Sequence, residues 1–129
     1  MKYEFLIERK KIIISAEIKG LTDVKDFKFI LDTGSSKTIV SERVAIILGF
    51  DPKKLKSGDR LMTAGGGSNS KILILPKLSL FGKEIENFET SVLKLPLQIT
   101  YFVDGLIGMD FLIQFKNIKF DFEAKTVEI

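Results

Sequence analysis

Short runs of β-branched and aromatic residues, bounded by turn residues, set the pattern of this chain and predict a mainly β domain. Tyr3 to Ile7 reads as a terminal strand. Lys11 to Ile18 and Lys25 to Leu31 flank Lys19-Gly20-Leu21-Thr22-Asp23, which predicts a hairpin whose second arm runs straight into Asp32. Thr38-Ile39-Val40 continues extended after a Gly34-Ser35-Ser36 turn. Lys71 to Leu75, Leu78 to Phe81 and Ile85 to Leu93 resume the strand pattern, with Phe81-Gly82-Lys83-Glu84 as a turn. Pro96 interrupts the segment that follows. Ile118 to Phe122 alternates cleanly, and Thr126 to Ile129 makes a last strand after the turn Glu123-Ala124-Lys125.

Two segments depart from the period of two and predict short helices. Ser41 is placed to cap a helix over Glu42 to Leu48, with Glu42 in the first turn and Gly49 just past the end. Phe111, Leu112 and Phe115 fall at helical spacing within Met109 to Phe115. Asp51 to Asp59 reads as a polar connection. Ala64-Gly65-Gly66-Gly67-Ser68-Asn69-Ser70 is too rich in glycine for a strand interior and too short to link two domains, so it reads as a hairpin tip.

At 129 residues the chain has room for one domain with a real core, so residues 1–129 are taken as a single unit. With 45% hydrophobic and 29% charged residues it is globular in composition, and eleven Phe without a Trp point to a core of aromatic and branched aliphatic side chains. The net charge of +3 is slight and evenly spread, which argues against a nucleic-acid partner. Lys53-Lys54-Leu55-Lys56 reads as a solvated loop without interleaved aromatics. Ile12-Ile13-Ile14 is too short to span a membrane, and Met1 to Lys11 lacks the apolar core of a signal peptide, so no membrane association is expected. The lack of Cys agrees with a reducing compartment, and the expected location is cytoplasmic.

Composition narrows the chemistry further. With neither His nor Cys, the chain has no imidazole base, no thiolate nucleophile and none of the usual soft ligands for zinc or iron. Triads built on His are excluded, and no metal or other cofactor is expected. An enzyme with this inventory works most naturally by carboxylate acid/base catalysis, such as hydrolysis by an activated water. Asp32, delivered at the end of an apolar run and followed by Thr33-Gly34-Ser35-Ser36, is either a turn cap or such a catalyst. The glycine-rich tip is not a phosphate loop, since no Lys-Ser or Lys-Thr follows it.

Three elements stand in order: strand-borne Asp32-Thr33-Gly34, the tip Ala64-Gly65-Gly66-Gly67, and Leu106-Ile107-Gly108 leading into Met109-Asp110-Phe111-Leu112. In that order and spacing the chain, from about Ile12 to Ile129, resembles the retropepsin-like aspartic proteases, the single-domain relatives of pepsin. The resemblance implies a closed β-barrel-like acid protease fold with two short helices, and an aspartic endopeptidase active as a homodimer on peptides. It implies Asp32 as the catalytic carboxylate, one from each subunit, with Thr33, Gly34 and Ser35 supporting the loop. Thr33 would bond across the symmetry axis and Gly34 would allow close backbone approach. Ala64, Gly65, Gly66 and Gly67 would form a flap over the peptide, and Leu106, Ile107 and Gly108 would back the catalytic loop. By the same resemblance, Tyr3 to Ile7 and Thr126 to Ile129 would interleave between subunits.

Some residues depart from the family pattern. Where retroviral enzymes place acidic residues after the glycine, this chain has Ser35-Ser36-Lys37, and the flap has no tyrosine. The competing reading is a catalytically weak or inactive peptide-binding or dimerisation module of the same fold. Asp104 and Asp110 read as caps of their turn and helix, Glu84, Glu86 and Glu89 as a solvated strand face, and Lys37 as an exposed charge. Val40, Met62, Ile74 and Ile107 read as core residues first and pocket residues second.

Overall fold

A computed structural model of the chain describes residues 1–63 and 66–129. Eleven strands dominate it: β1 Lys2–Glu4, β2 Leu6–Glu8, β3 Lys11–Lys19, β4 Val24–Leu31, β5 Ile39–Ser41, β6 Lys56–Thr63, β7 Gly66–Leu80, β8 Lys83–Leu93, β9 Gly105–Ile107, β10 Lys119–Asp121 and β11 Thr126–Glu128. The helices are α1 Glu42–Ile47, α2 Leu97–Thr100 and α3 Met109–Leu112, with a 3-10 turn at Pro52–Lys54. Both expected helices are present, each shorter than its apolar spacing suggested. The third, α2, starts directly after Pro96, whose fixed φ suits the residue preceding a helical turn.

The larger sheet runs β2-β3-β4-β9-β5-β8-β7-β6, and a further pairing of β3 with β7 joins its ends into a ring. That pairing uses Glu17 to Lys19 against Lys77 to Ser79, while the start of β3 holds β2 on the same edge. The expected closed barrel-like fold is therefore present. Strand β7 is one continuous element in which the expected runs Lys71 to Leu75 and Leu78 to Phe81 are joined through Pro76 and Lys77. Leu75 pairs with Phe88 and Lys77 with Glu86, so Pro76 faces Asn87, which takes up the irregularity with φ of 50°. Proline has no N–H to give the ladder, and a local kink on the partner accommodates it.

The terminal segment splits at Phe5, which is buried and donates its N–H to the Lys125 carbonyl. Strand β1 joins a small sheet in the order β1-β11-β10. Both edges of β11 are thus occupied within one chain, so the terminal strands do not need the interleaving between subunits that the family resemblance implied.

A short strand inserted between two others positions the loop at Asp32. Strand β9 lies parallel to β4, pairing Phe29 with Gly105 and Leu31 with Ile107, and antiparallel to β5, pairing Ile39 with Leu106. Gly105 makes the insertion possible, because a Cβ there would lie 2.1 Å from the Ile39 carbonyl oxygen. Both faces of β4 are covered over its last three residues: Phe29 and Leu31 enter the main core with Val40, Ile107 and Phe111, while Ile30 packs with Ile13 and Val103. This two-sided burial explains the unbroken apolar run before Asp32.

The interlock is fastened by a buried polar network. Thr38, fully buried, donates its hydroxyl to Asp110 Oδ1 at 2.7 Å and its N–H to Asp110 Oδ2 at 2.9 Å. The Gly108 N–H donates to Thr38 Oγ1 at 3.1 Å, and the Phe111 N–H donates to Asp110 Oδ1 at 2.9 Å. Asp104 makes a second tie: Oδ2 accepts from the Lys28 N–H at 2.9 Å, and its carbonyl accepts from the Ser41 N–H. Ser41 itself caps α1, its hydroxyl accepting from the Val44 N–H at 3.3 Å.

Two substitutions test this frame. Thr38→Val keeps the volume but leaves the Gly108 N–H without its acceptor, and it is expected to lower stability by about 2 kcal/mol. A urea midpoint shift worth less than about 0.5 kcal/mol, at unchanged slope, contradicts the network. Gly105→Ala forces a methyl group into backbone and is expected to cost about 3 kcal/mol. A melting temperature equal to that of the wild type contradicts the close approach.

Candidate active site

Asp32 leaves the end of β4 as the first residue of a tight loop. Its N–H donates to the Ile107 carbonyl at 2.9 Å, extending the β4–β9 pairing by one bond. The carboxylate turns back to accept the Gly34 N–H at Oδ1, 2.9 Å, and the Asp32 carbonyl accepts the Ser35 N–H. A side chain at residue 34 would bring its Cβ to 3.2 Å from that carboxylate oxygen, so glycine leaves the acid uncrowded. The Ser35 hydroxyl donates to the Lys37 carbonyl at 2.7 Å, as a loop serine was expected to do.

The helix after β9 closes on this loop from behind. The Met109 and Asp110 N–H groups donate to the carbonyls of Ser35 and Ser36 at 2.7 and 3.2 Å. A Cβ at Gly108 would lie 2.5 Å from the Lys37 carbonyl oxygen and 2.8 Å from that of Ser35. Ile107 is fully buried, and Gly108 packs directly on the loop backbone. Asp110 ties helix to loop through Thr38; it lies in the first turn of α3, whose N-cap is Gly108, and so is not the cap expected from sequence.

In front of the loop lies a cleft of about 610 Å³. Asp32, Gly34 and Ser35 form part of its wall, Ile30, Ile39 and Leu106 its apolar floor, and Met62 reaches in from β6. Asp32 is half-buried, whereas Thr33 and Gly34 are exposed. Of the apolar residues weighed from sequence, Met62 and not Val40 or Ile107 faces the cleft, and Ile74 is exposed elsewhere on β7. Leu106 has one face on the cleft, so of the three loop-backing residues only Ile107 and Gly108 lie wholly behind.

Ala64 and Gly65 of the hairpin tip lie outside the described residues. Gly66 and Gly67 do not form a loose loop; they begin β7, paired with Thr63 and Met62. Gly66 has φ of 106°, a conformation glycine adopts freely, and the Gly67 carbonyl accepts from Arg60 Nη2 at 3.3 Å. The strand pairing of this hairpin thus includes both Gly67 and Gly66.

Sequence reading missed two groups. One is Thr38, whose hydroxyl orders the loop; a threonine two residues past a serine pair carries no signal for burial. The other is the far wall of the cleft, built from Lys10, Lys11 and Ile12 on one side and Leu95, Pro96 and Ile99 on the other. The β3–β4 pairing, with Ile13 opposite Ile30, brings Lys10 to Ile12 beside the end of β4, and Ile99 packs against the same pair from a segment far away in the chain. Lys37 is only partly exposed and pairs with Glu89 at 3.5 Å, and Glu84 pairs with Lys77 at 3.6 Å. Among the described residues no cluster of three or more acidic residues is gathered for a metal, and no helix is long and apolar enough to cross a membrane.

The model of the aspartyl protease family matches residues 14–111. Over 126 residues the chain is 32% identical to an uncharacterised protein of Rickettsia prowazekii (strain Madrid E), covering 92% of this chain and 52% of that one. The chain therefore spans about half the length of this curated relative. Among solved structures, a retropepsin-like aspartic protease from Rickettsia conorii superposes with a TM-score of 0.73 at 23% identity, covering 98% of this chain and 88% of the other. EIAV protease bound to an inhibitor gives 0.64 at 16% identity, over 82% and 88% of the two chains. The retroviral protease-like domain of Ddi1 from Leishmania major gives 0.60 at 19%, over 92% and 87%. At such identities these three are likenesses of fold. The family match runs from the middle of β3 into α3 and so takes in the whole interlock around Asp32: the chain belongs to the aspartyl protease family and has the retropepsin-like fold.

Proposed function

We infer that the chain is an aspartic endopeptidase that works as a homodimer, with Asp32 of each protomer supplying one of two catalytic carboxylates. The observation that carries this reading is the setting of Asp32: half-buried in a cleft wall, held by its own loop, and the only acidic residue among those lining the cleft. One carboxylate cannot both take and give a proton in the same step. Two brought within hydrogen-bond reach share a proton, because like charges that close do not both ionise. The ionised partner then takes a proton from a bound water, whose oxygen attacks the peptide carbonyl carbon, while the protonated partner donates to the carbonyl oxygen. The resulting tetrahedral intermediate collapses with cleavage of the C–N bond as the nitrogen is protonated.

The neighbouring residues suit the roles given to them. Thr33 and Gly34 are exposed on the single chain, where a second copy would cover them and Thr33 could bond across the axis. Ser35 secures the loop through Lys37. Ile107 and Gly108 back it from behind, while Leu106 shares its faces between the loop's backing and the cleft. The β6–β7 hairpin is the flap that closes over an extended peptide, bonding its backbone and excluding water, the role that the resemblance gives to Ala64, Gly65, Gly66 and Gly67. The fold likeness to proteins described as proteases agrees with this assignment.

The carboxylate role predicts that Asp32→Asn lowers kcat at least about 10²-fold on peptide libraries from acidic to neutral pH, without shifting the melting temperature. Cleavage at the wild-type rate by that variant would sink the endopeptidase reading. The shared site predicts that specific activity falls on dilution in step with loss of the dimer in analytical sedimentation. A monomer at all concentrations with activity retained refutes the shared site. An inhibitor that mimics the tetrahedral intermediate separates this enzyme from an inactive peptide-binding module, which has no reason to bind it tightly.

A further inference from the structure

The tip of the β2–β3 hairpin borders the cleft, yet the proposed chemistry makes no use of it. Glu8 pairs with Lys11, so the turn consists of Arg9 and Lys10 alone, with φ of 52° and 60°. Two-residue turns of this kind favour Asn and Gly, and two long cationic side chains in left-handed conformation hold local strain. The surroundings hold Arg9 in place. Its Nη1 donates to the Gln98 carbonyl at 3.1 Å, and its guanidinium lies 4.6 Å from the centre of the Phe102 ring. The cation–π contact and the hydrogen bond together tie the tip to α2 and the segment after it.

With Arg9 anchored, Lys10 and Lys11 line the cleft beside Ile12 and across from Pro96. Both are exposed, and among the described residues neither has an ion-pair partner. Glu8 stands opposite Lys11 in register but does not line the cleft. The charged residues of the cleft are thus one carboxylate, Asp32, and two ammonium groups on the rim. Loop residues that carry acids in retroviral enzymes are here Ser36 and Lys37, which adds no negative charge to offset them. A cleft lined by one sign of charge raises the local concentration of ligands of the other sign.

Resting on the endopeptidase reading, we propose that Lys10 and Lys11 are specificity-determining residues: they select extended peptides that carry an acidic side chain a few residues from an apolar scissile pair. The apolar floor of Ile30, Ile39 and Leu106 takes the residues at the cleaved bond, and the rim takes the acid. In a homodimer both ends of the cleft carry the same lysine pair, so an acid on either side of the bond is accepted.

The test uses matched peptides with an apolar centre and either Glu or Gln scanned through the flanking positions, at pH about 7, where Glu is ionised. For the best position, kcat/KM is expected to favour Glu by about 5-fold, mainly through KM, and the ratio is expected to approach one at about 0.5 M salt. In Lys10→Gln/Lys11→Gln the ratio falls to one at low salt, and Lys10→Glu/Lys11→Glu turns the preference towards a Lys-bearing peptide. Equal cleavage of the Glu and Gln peptides at every position, or a Glu preference unchanged in both variants, overturns the proposal. The same peptides, fluorescently labelled, are titrated against Asp32→Asn, and anisotropy is expected to give the same 5-fold preference in Kd. If the wild type cleaves no peptide, the endopeptidase reading fails, while the binding ratio still decides the role of the lysines: a ratio of one overturns it.

Discussion

Everything at the cleft depends on β9 being wedged between β4 and β5 with its backbone hydrogen-bonded on both sides. Backbone polar groups in a buried strand must be paired, and a three-residue strand can satisfy them only by close approach to two neighbours. Gly105 permits that approach on the β5 side, where no Cβ would fit against the Ile39 carbonyl. Gly108 permits it at the other end, against the carbonyls of Ser35 and Lys37. The glycines bracketing Leu106 and Ile107 are therefore requirements of packing, and the apolar pair between them faces the cleft on one side and the core on the other.

The chemistry follows from that wedge. Because the Asp32 N–H completes the β4–β9 ladder and the α3 N–H groups grip the Ser35 and Ser36 carbonyls, the loop has no backbone freedom at either end. A carboxylate held this way can meet another at a fixed separation, and a shared proton requires such a separation. Thr38 and Asp110 extend the same logic into the interior. A hydroxyl that both donates to Asp110 and accepts from Gly108 makes the position of α3 depend on that of the loop, so the network is satisfied as a whole or not at all.

How much of this could be read in the sequence depended on the range of the interaction. Local signals were legible: Ser41 as a helix cap, a turn beginning at Phe81-Gly82, and the β4 run delivering Asp32. Interactions between distant segments were not. Lys71 to Leu75 and Leu78 to Phe81 read as separate runs, but the position facing Pro76, Asn87, absorbs the irregularity and β7 continues. The glycines at 66 and 67 read as loop, yet pairing with Met62 and Thr63 draws them into a strand. Thr38 looks like any strand residue, and nothing near it in sequence marks a buried hydroxyl serving a carboxylate 72 residues away. Leu95, Pro96 and Ile99 of the cleft were invisible for the same reason, whereas Lys10 to Ile12 arrive through the β3–β4 hairpin, which sets Ile13 opposite Ile30.

On the proposed function, the loop after Asp32 leaves side-chain selection of a peptide to the rest of the cleft. Ser35 uses its hydroxyl on Lys37, the Ser36 carbonyl is taken by Asp110, and the Lys37 ammonium leans towards Glu89 on β8. With Ser35 and Lys37 engaged by their own chain, the loop presents chiefly the Asp32 carboxylate and the exposed Thr33 and Gly34. The side chains that remain accessible are those brought in from outside the interlock: Met62 from the hairpin above, Leu95 and Ile99 around α2, and the lysines of the β2–β3 tip. Division of the cleft into the interlocked loop that carries Asp32 and walls from separate segments lets those walls vary without disturbing the acid, provided each is anchored as Arg9 anchors its turn to Gln98 and Phe102. That anchoring is what makes an αL turn of two cationic residues tolerable in this fold, and it places their charge on the side of the barrel where a peptide would lie.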